Sequence, residues 1–254
     1  MPSLNGTKVA FTTRFGGVSK AAFSDFNLGD HVGDDPHAVA ENRRILQARF
    51  GAPVLWMHQT HSDVVNVANS RDLVYEGDAL VIDAAQFSSS ESETTNEISA
   101  LAPPAAAVMV ADCVPILLAS ASGRVVAAVH AGRAGLEKRI IAKTVRVMQD
   151  IEDVPVSAAI GPHICGRCYE VPLSLQAQLV SVTPQARAVS ARGTPALNLG
   201  AAAREQLREV HAKIQFQSNV CTKTSSKYFS YRRQKQTGRF VGIIGPTRRI
   251  IDKK

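Results

Sequence analysis

No stretch of this 254-residue chain approaches the about 20 consecutive apolar residues that a membrane-spanning helix needs. The opening, "MPSLNGTKVAFTTRFGG", also lacks the basic start and sustained apolar region of a secretory signal. Together these absences set the expectation of a cytoplasmic protein with no membrane partner. Cysteine is sparse as well. Four residues without dense, even spacing exclude a disulfide scaffold and fit a reducing compartment, where thiols act as metal ligands, nucleophiles or core residues. "HICGRC" holds Cys165 and Cys168 at metal or redox spacing beside His163, but there is no second Cys-x-x-Cys to complete a structural zinc. Thioredoxin-like chemistry would place the pair at the start of a helix, whereas here Tyr-Glu-Val-Pro follows. The expectation is a turn packed near another site. Internal repeats and linkers are lacking too.

What is present is ordinary in bulk: 45% hydrophobic and 20% charged residues, which allow a sizeable core. The net charge of +7 suits an anionic substrate or a nucleic acid without requiring either. Its distribution is uneven, with Lys and Arg crowded from Lys223 to Lys254 and acids around Glu91. Strand and helix signals alternate along the whole length, which implies one mixed α/β domain over residues 1–254.

Local punctuation supplies the elements. "KVAFTTRFGGVS" reads as a strand entering a Gly-Gly turn. "GDDPHAVAENRRILQARFG" reads as a helix capped by Asp35, begun by Pro36 and ended by Gly51. "VLWMHQTHSDVVNVA" reads as strand with a polar interruption, and the Ser/Glu-rich loop at about 85–104 as a mobile segment without chemistry. A second helix spans "GLEKRIIAKTVRVMQDIED", with Leu136, Ile140, Ile141, Val145 and Met148 on one face. "VSAAIGP" is a short strand and "GAAAREQLREVHAKI" a third helix. "KYFSYRRQKQTGRFVGIIG" reads as two strands around a Gln-Lys-Gln-Thr-Gly turn, with Arg232 and Arg233 on an exposed basic face.

The most informative stretch is "VMVADCVPILLASASGRVVAAVHAGRAGL", residues 108 to 136, an apolar run that contains one thiol and one imidazole. It carries a hairpin signal. A loop at Ala121-Ser122 sets Cys113 opposite His130; a loop at Ser122-Gly123 makes them diagonal neighbours on one face; only an odd-length loop separates them. Pro115 cannot donate to a ladder and implies an edge strand or a bulge. Asp112 points away from Cys113 unless the backbone bends. A third ligand for a metal comes from "MHQTHSD", where His58 and His61 are both available and lie on opposite strand faces. Two histidines, one cysteine and an open position describe a catalytic zinc site, and with a distant Met they also suit copper. Arg14 and Arg43 are candidates for holding an anion. In a helix, Asn42 and Arg43 cannot both face the core.

Taken in order, "FTTRFGGVS", "FNLGDHVGDD", "ENRR", "HQTHSD", "GDALV", "ADCVPILL", "AAVHAG", "AIGPHICGRCYEV" and "FSYRRQKQTGRF" resemble the YfiH-type proteins over nearly the whole chain. That family was long labelled multicopper polyphenol oxidase or laccase, and later described as purine nucleoside phosphorylase with adenosine deaminase activity. The resemblance implies a layered mixed-sheet sandwich with helices outside, and zinc held by His61, Cys113 and His130, so that His61 is preferred over His58. It further implies a nucleoside and phosphate as small-molecule partners, with Arg14 and Arg43 as phosphate-binding candidates, in a monomer or small homo-oligomer. The sequence departs from the family at "HAGRAG", where an aromatic is missing and Arg133 stands one position early, and in the longer loop from Ala84 to Pro104.

Three other readings can be weighed on the same residues. A copper oxidase needs a blue site plus a trinuclear cluster, and seven histidines are few for both. A cell-wall precursor as substrate of a peptidoglycan-editing hydrolase is compatible with the family. Nucleic-acid binding would use Tyr228, Phe229, Tyr231 and Phe240 interleaved with basic residues, against the plainer expectation that these aromatics face the core.

Overall fold

The computed structural model describes residues 3–87 and 102–247. Most of the polar loop expected at about 85–104, the acidic tract around Glu91 and the basic end beyond Thr247 lie outside the described residues.

Two sheets lie face to face between layers of helix. The first has five strands, in the order Ser3–Leu4, Thr7–Phe11, Phe240–Gly245, Ala105–Val110 and Val54–Leu55. The second has six: Lys213–Gln217, Val156–Ile160, Val114–Ser120, Val125–Ala131, Ala79–Asp83 and Val65–Val67. Helix α1 (Pro36–Phe50) covers the outer face of the first sheet. The outer face of the second is covered by α2 (Arg133–Glu137), α3 (Ile140–Ile151), α4 (Leu173–Val182) and α5 (Leu199–Glu209). The expected layered mixed-sheet sandwich is what the chain forms.

Because both faces of the central strands are covered, they read as unbroken apolar runs instead of alternating patterns. Period two still governs which core each residue enters. Val108 and Val110 face the second sheet, whereas Ala107 and Met109 face α1. On the next strand Ile116 and Leu118 pack under the helices while Leu117 and Ala119 face the first sheet. The chain passes from one sheet to the other at residues 111–113, so Cys113 sits at the crossing.

The capping signals were well placed. Asp35 accepts the His37 amide at 2.9 Å, and Gly51 ends α1 in the left-handed region at φ 77°. The core-facing member of the Asn42-Arg43 pair is Asn42, fully buried, which ties the preceding loop to α1. Its Oδ1 accepts from the Val18 amide at 2.9 Å, while Nδ2 donates to Ser19 Oγ and to the Asn27 carbonyl at 2.9 and 2.8 Å.

Three expectations need correction. The second helix is two, because Arg139 adopts φ 63° and breaks it between α2 and α3, although all five residues predicted on its inner face are buried. The segment 227–239 is not a strand. There the Arg233 guanidinium donates to the carbonyls of Thr222, Ser225 and Tyr228 at 2.8, 2.8 and 2.5 Å, folding the chain into a loop around itself. Arg233 is thus a loop organiser and not simply a solvated charge. Finally, the strand containing Pro115 is central, not an edge. Proline is accommodated at its start because the Gly161 carbonyl, which a Pro115 amide would have served, takes the His163 Nδ1–H at 2.8 Å, while the Gly161 amide donates to the Pro115 carbonyl at 2.9 Å.

Asn42→Ala removes a buried side chain that serves four partners, Val18, Ser19, Asp25 and Asn27, and leaves the Val18 amide unpaired. We expect a loss of about 2–4 kcal/mol of stability, read as a lower urea midpoint with an unchanged slope.

Candidate metal centre

The hairpin that carries Cys113 and His130 closes through a four-residue loop, Ala121 to Arg124. Its register pairs Val129 with Ile116 and His130 with Pro115. Continued outward, that register sets Cys113 opposite Gly132 and makes Cys113 and His130 diagonal neighbours on the face between the sheets, the second of the two registers read from the sequence. His61 arrives from the polar interruption after the strand Met57–His58. Ligand atoms of His61, Cys113 and His130 all lie within 4.8 Å of one another, and the two imidazoles meet edge to face with centroids 4.7 Å apart. His58, on its short strand, is exposed and outside this group.

Asp78 organises the set. The register of the neighbouring strand pairs Val129 with Ala79 and so places Asp78 beside His130, whose amide donates to the Asp78 carbonyl at 2.7 Å. The Asp78 carboxylate accepts His130 Nδ1–H at 2.7 Å and, from the other side, the consecutive amides of Thr60, His61 and Ser62 at 3.2, 3.1 and 2.6 Å. Three successive amides around one carboxylate form an anion nest, and the price is a left-handed His61 at φ 57°. One buried carboxylate thereby fixes both histidines: it holds His130 in the tautomer that leaves Nε2 free, and it holds the turn that presents His61. Although burial opposes ionisation, His130 and Ser62 keep Asp78 far below the usual carboxylate range.

The same geometry polarises Cys113 and His130. Burial raises the thiol, but His130 and His61 outweigh it and bring Cys113 down to about 6. Burial lowers the imidazole, but the Cys113 charge and Asp78 outweigh it and lift His130 to about 9. A Cβ on Gly132 would lie 3.3 Å from Cys113 Sγ, 3.4 Å from His61 Cδ2 and 3.5 Å from His130 Cε1, so the absence of a side chain there keeps the space among the three open. A thiolate, two imidazoles and an open cradle fit a divalent metal of borderline softness.

The bend that was a condition for Asp112 does occur, at φ 107°, but its carboxylate turns to Thr222 Oγ1 at 2.6 Å and to the Arg232 amide at 2.7 Å. It locks the crossing and does not face the thiol's partners. Arg43 stacks on Trp56 at 4.1 Å, donates from Nε to the Leu28 carbonyl at 3.0 Å and pairs with Asp30 at 3.2 Å. Arg14 donates from Nε to the Ser24 carbonyl at 2.7 Å and lies over Phe229. Burial lowers its pKa and the nearby charge of Arg233 lowers it further. Sequence reasoning missed Asp78, and it missed Arg239, which lies close enough to Cys113 and Asp112 for both to raise its pKa against the burial that lowers it. A buried Asp just before the apolar run "ALVID" was the available signal for Asp78; nothing local marked Arg239. Of the interleaved aromatics, Phe229 and Phe240 are core and Tyr231 is exposed.

Two outcomes follow. Asp78→Asn should weaken divalent-metal binding by about 10–100-fold, measured by competition with a chelating dye. A divalent metal bound here would have to displace the His130 proton at any pH below about 9 and also the Cys113 proton below about 6. Affinity should therefore rise by about tenfold per pH unit between these limits and more steeply below them, in metal-buffered titrations.

Known proteins share this architecture. A sequence profile described as multi-copper polyphenol oxidoreductase laccase matches residues 8–247. A purine nucleoside phosphorylase from Streptomyces coelicolor is 39% identical over 247 residues, which is 95% of this chain and 96% of that protein. One from Mycobacterium tuberculosis is 39% identical over 238 residues, 92% of this chain and 89% of its own. Among solved structures, Neisseria meningitidis protein NMB0706 superposes with a TM-score of 0.81 at 34% identity, covering 95% of this chain and 94% of that one. YlmD from Geobacillus stearothermophilus superposes with 0.80 at 28%, covering 97% and 94%. Relatives named for a phosphorylase support an enzyme, and the matched profile, spanning the residues that build the His-Cys-His cluster, establishes that this chain belongs to the YfiH-type, multicopper-laccase-like family.

Proposed function

We propose that this protein is a zinc-dependent purine nucleoside phosphorylase acting on adenosine, inosine and methylthioadenosine, with adenosine deamination as a second reaction of the same site. The observation that carries the reading is the convergence of His61, Cys113 and His130 around the open space at Gly132. The relatives named purine nucleoside phosphorylase, aligned over almost the whole chain, supply the substrate class. His61, Cys113 and His130 would hold the zinc, which when bound would supply Lewis-acid chemistry.

The chain's own residues do the rest. Asp78 keeps His130 Nδ1 protonated and its ring fixed, so the cluster is oriented before substrate arrives. Arg14, partly buried and beside Arg233 with Asp25 near it but not ion-paired, is the stronger of the two phosphate candidates; Arg43 is already ion-paired with Asp30. In phosphorolysis a phosphate oxygen bonds to the ribose anomeric carbon, the glycosidic C–N bond breaks, and the purine leaves with a proton. Positioning by arginine and stabilisation of developing charge carry most of such a rate. In deamination, water adds at C6 of adenine and ammonia departs.

The test is chromatographic product analysis from adenosine and inosine, with and without phosphate, together with metal content. Wild-type protein should release ribose 1-phosphate only when phosphate is present. Cys113→Ala should lose the zinc of this site and at least 100-fold in turnover, in line with removal of a group that acts in the transition state; wild-type turnover in that variant would defeat the assignment.

A further inference from the structure

The structure brings together a second sulfur cluster that the Cys-x-x-Cys spacing announced only in part. Cys165 and Cys168 flank a tight turn in which the Cys168 amide donates to the Cys165 carbonyl at 3.0 Å. Cys221, more than fifty residues away, is drawn against that turn by an isolated bridge between His163 and Cys221. Ligand atoms of Cys165, Cys168 and Cys221 all lie within 4.8 Å of one another, and the three thiols are free and half-buried. We propose that Cys165, Cys168 and Cys221 form a second, structural site for a thiophilic divalent cation such as zinc, separate from the His-Cys-His cluster.

Three observations carry the assignment. The first is the spacing: tetrahedral zinc–thiolate bonds of about 2.3 Å place sulfurs about 3.8 Å apart, within the observed limit after small side-chain rotations. The second is the backbone around Cys221. The Cys165 amide donates to Cys221 Sγ at 3.4 Å, and the amides of Lys223 and Thr224 also point at it. Converging amides of this kind cradle anionic sulfur, as they do at iron–sulfur centres. A divalent cation would take all three sulfurs as thiolates beneath these amides. The third is room for a fourth ligand: a cavity of about 160 Å³ opens beside Cys165 and Cys221, with space for water.

The position explains what such a cation would do. The two segments it would join both grip Asp112, the residue before Cys113. The Ile164 amide donates to the Asp112 carbonyl at 2.9 Å and Thr222 Oγ1 donates to its carboxylate at 2.6 Å. A cation bound to the three sulfurs would clamp residues 164–168 to 221–224 and so hold the strained crossing from behind.

The experiment counts zinc in full-length protein stripped under reducing, oxygen-free conditions and then titrated with zinc alone, read by native mass spectrometry. Two zinc ions per chain are expected in the wild type and one in Cys113→Ala. One is expected in Cys221→Ser and in Cys168→Ser, both with nucleoside turnover retained but a lower melting temperature. Zinc should also protect Cys165, Cys168 and Cys221 of the wild type from alkylation, a readout that needs no variant to fold. A single zinc in the wild type, all of it lost in Cys113→Ala, would overturn the proposal. So would a persistent disulfide within the trio that forms in place of zinc binding. Failure of the nucleoside assay leaves the zinc count and the alkylation pattern intact, so the two readings fail separately.

Discussion

One buried carboxylate holds the centre of this molecule in order. Asp78 is wholly inaccessible, yet ionised, because it is answered on one side by His130 and on the other by three consecutive amides. A buried charge without such partners costs several kcal/mol and neutralises instead. The two sets of partners come from different parts of the chain: a central strand of the second sheet and the turn after Met57–His58. Satisfying Asp78 therefore forces these segments together, and the approach of His61 to His130 follows from it. Removing the charge would release the turn and the ring at once.

An apolar run tolerates a thiol and an imidazole for a related reason. Cys113 and His130 sit where two sheets meet and the chain crosses between them, beyond the last close-packed layer of Leu117, Ala119, Val126 and Ala128. Interior strands cannot carry unpaired polar groups, but at the end of the sandwich each polar group has another within reach. His130 has Asp78 and Cys113. The Gly161 carbonyl, deprived of a proline amide, has His163. The backbone is strained where the geometry is tightest, at His61 and Asp112. The turn around His61 is held by the three amides on Asp78, and Asp112 by Ile164, Thr222 and Arg232, bonds that a relaxed conformation would lose, which is how uncommon backbone angles persist.

Much of this was legible before any coordinates. Local signals acted where local physics decides: Asp35, Pro36 and Gly51 bounded α1, and the apolar spacing from Leu136 to Met148 gave the buried face of α2 and α3 even though Arg139 divides them. The hairpin argument brought Cys113 and His130 to one face because register parity is a matter of counting. The choice of His61 over His58 was not legible from spacing, since it depends on a turn wrapped around Asp78, and it came from the family resemblance. Contacts remote in sequence stayed hidden throughout. Arg233 gathers carbonyls of its own loop, so strand-like residues 227–239 never form a strand, and Cys221 gave no sign of joining Cys165 and Cys168.

The departure at "HAGRAG" can now be placed. Gly132 is the residue whose missing side chain keeps the space among His61, Cys113 and His130 open, and it is retained; what changes are the two residues after it, Arg133 and Ala134. Arg133 begins α2 and pairs with Glu137 at 2.5 Å on the helix's own surface. That pair holds Arg133 on its own helix, while Arg239, in the loop just before the strand Phe240–Gly245, has Cys113 and Asp112 near enough to raise its pKa against burial. A departure at Arg133 leaves the cradle undisturbed, because the side chain turns to Glu137 on α2 while Gly132 keeps the space among His61, Cys113 and His130 open.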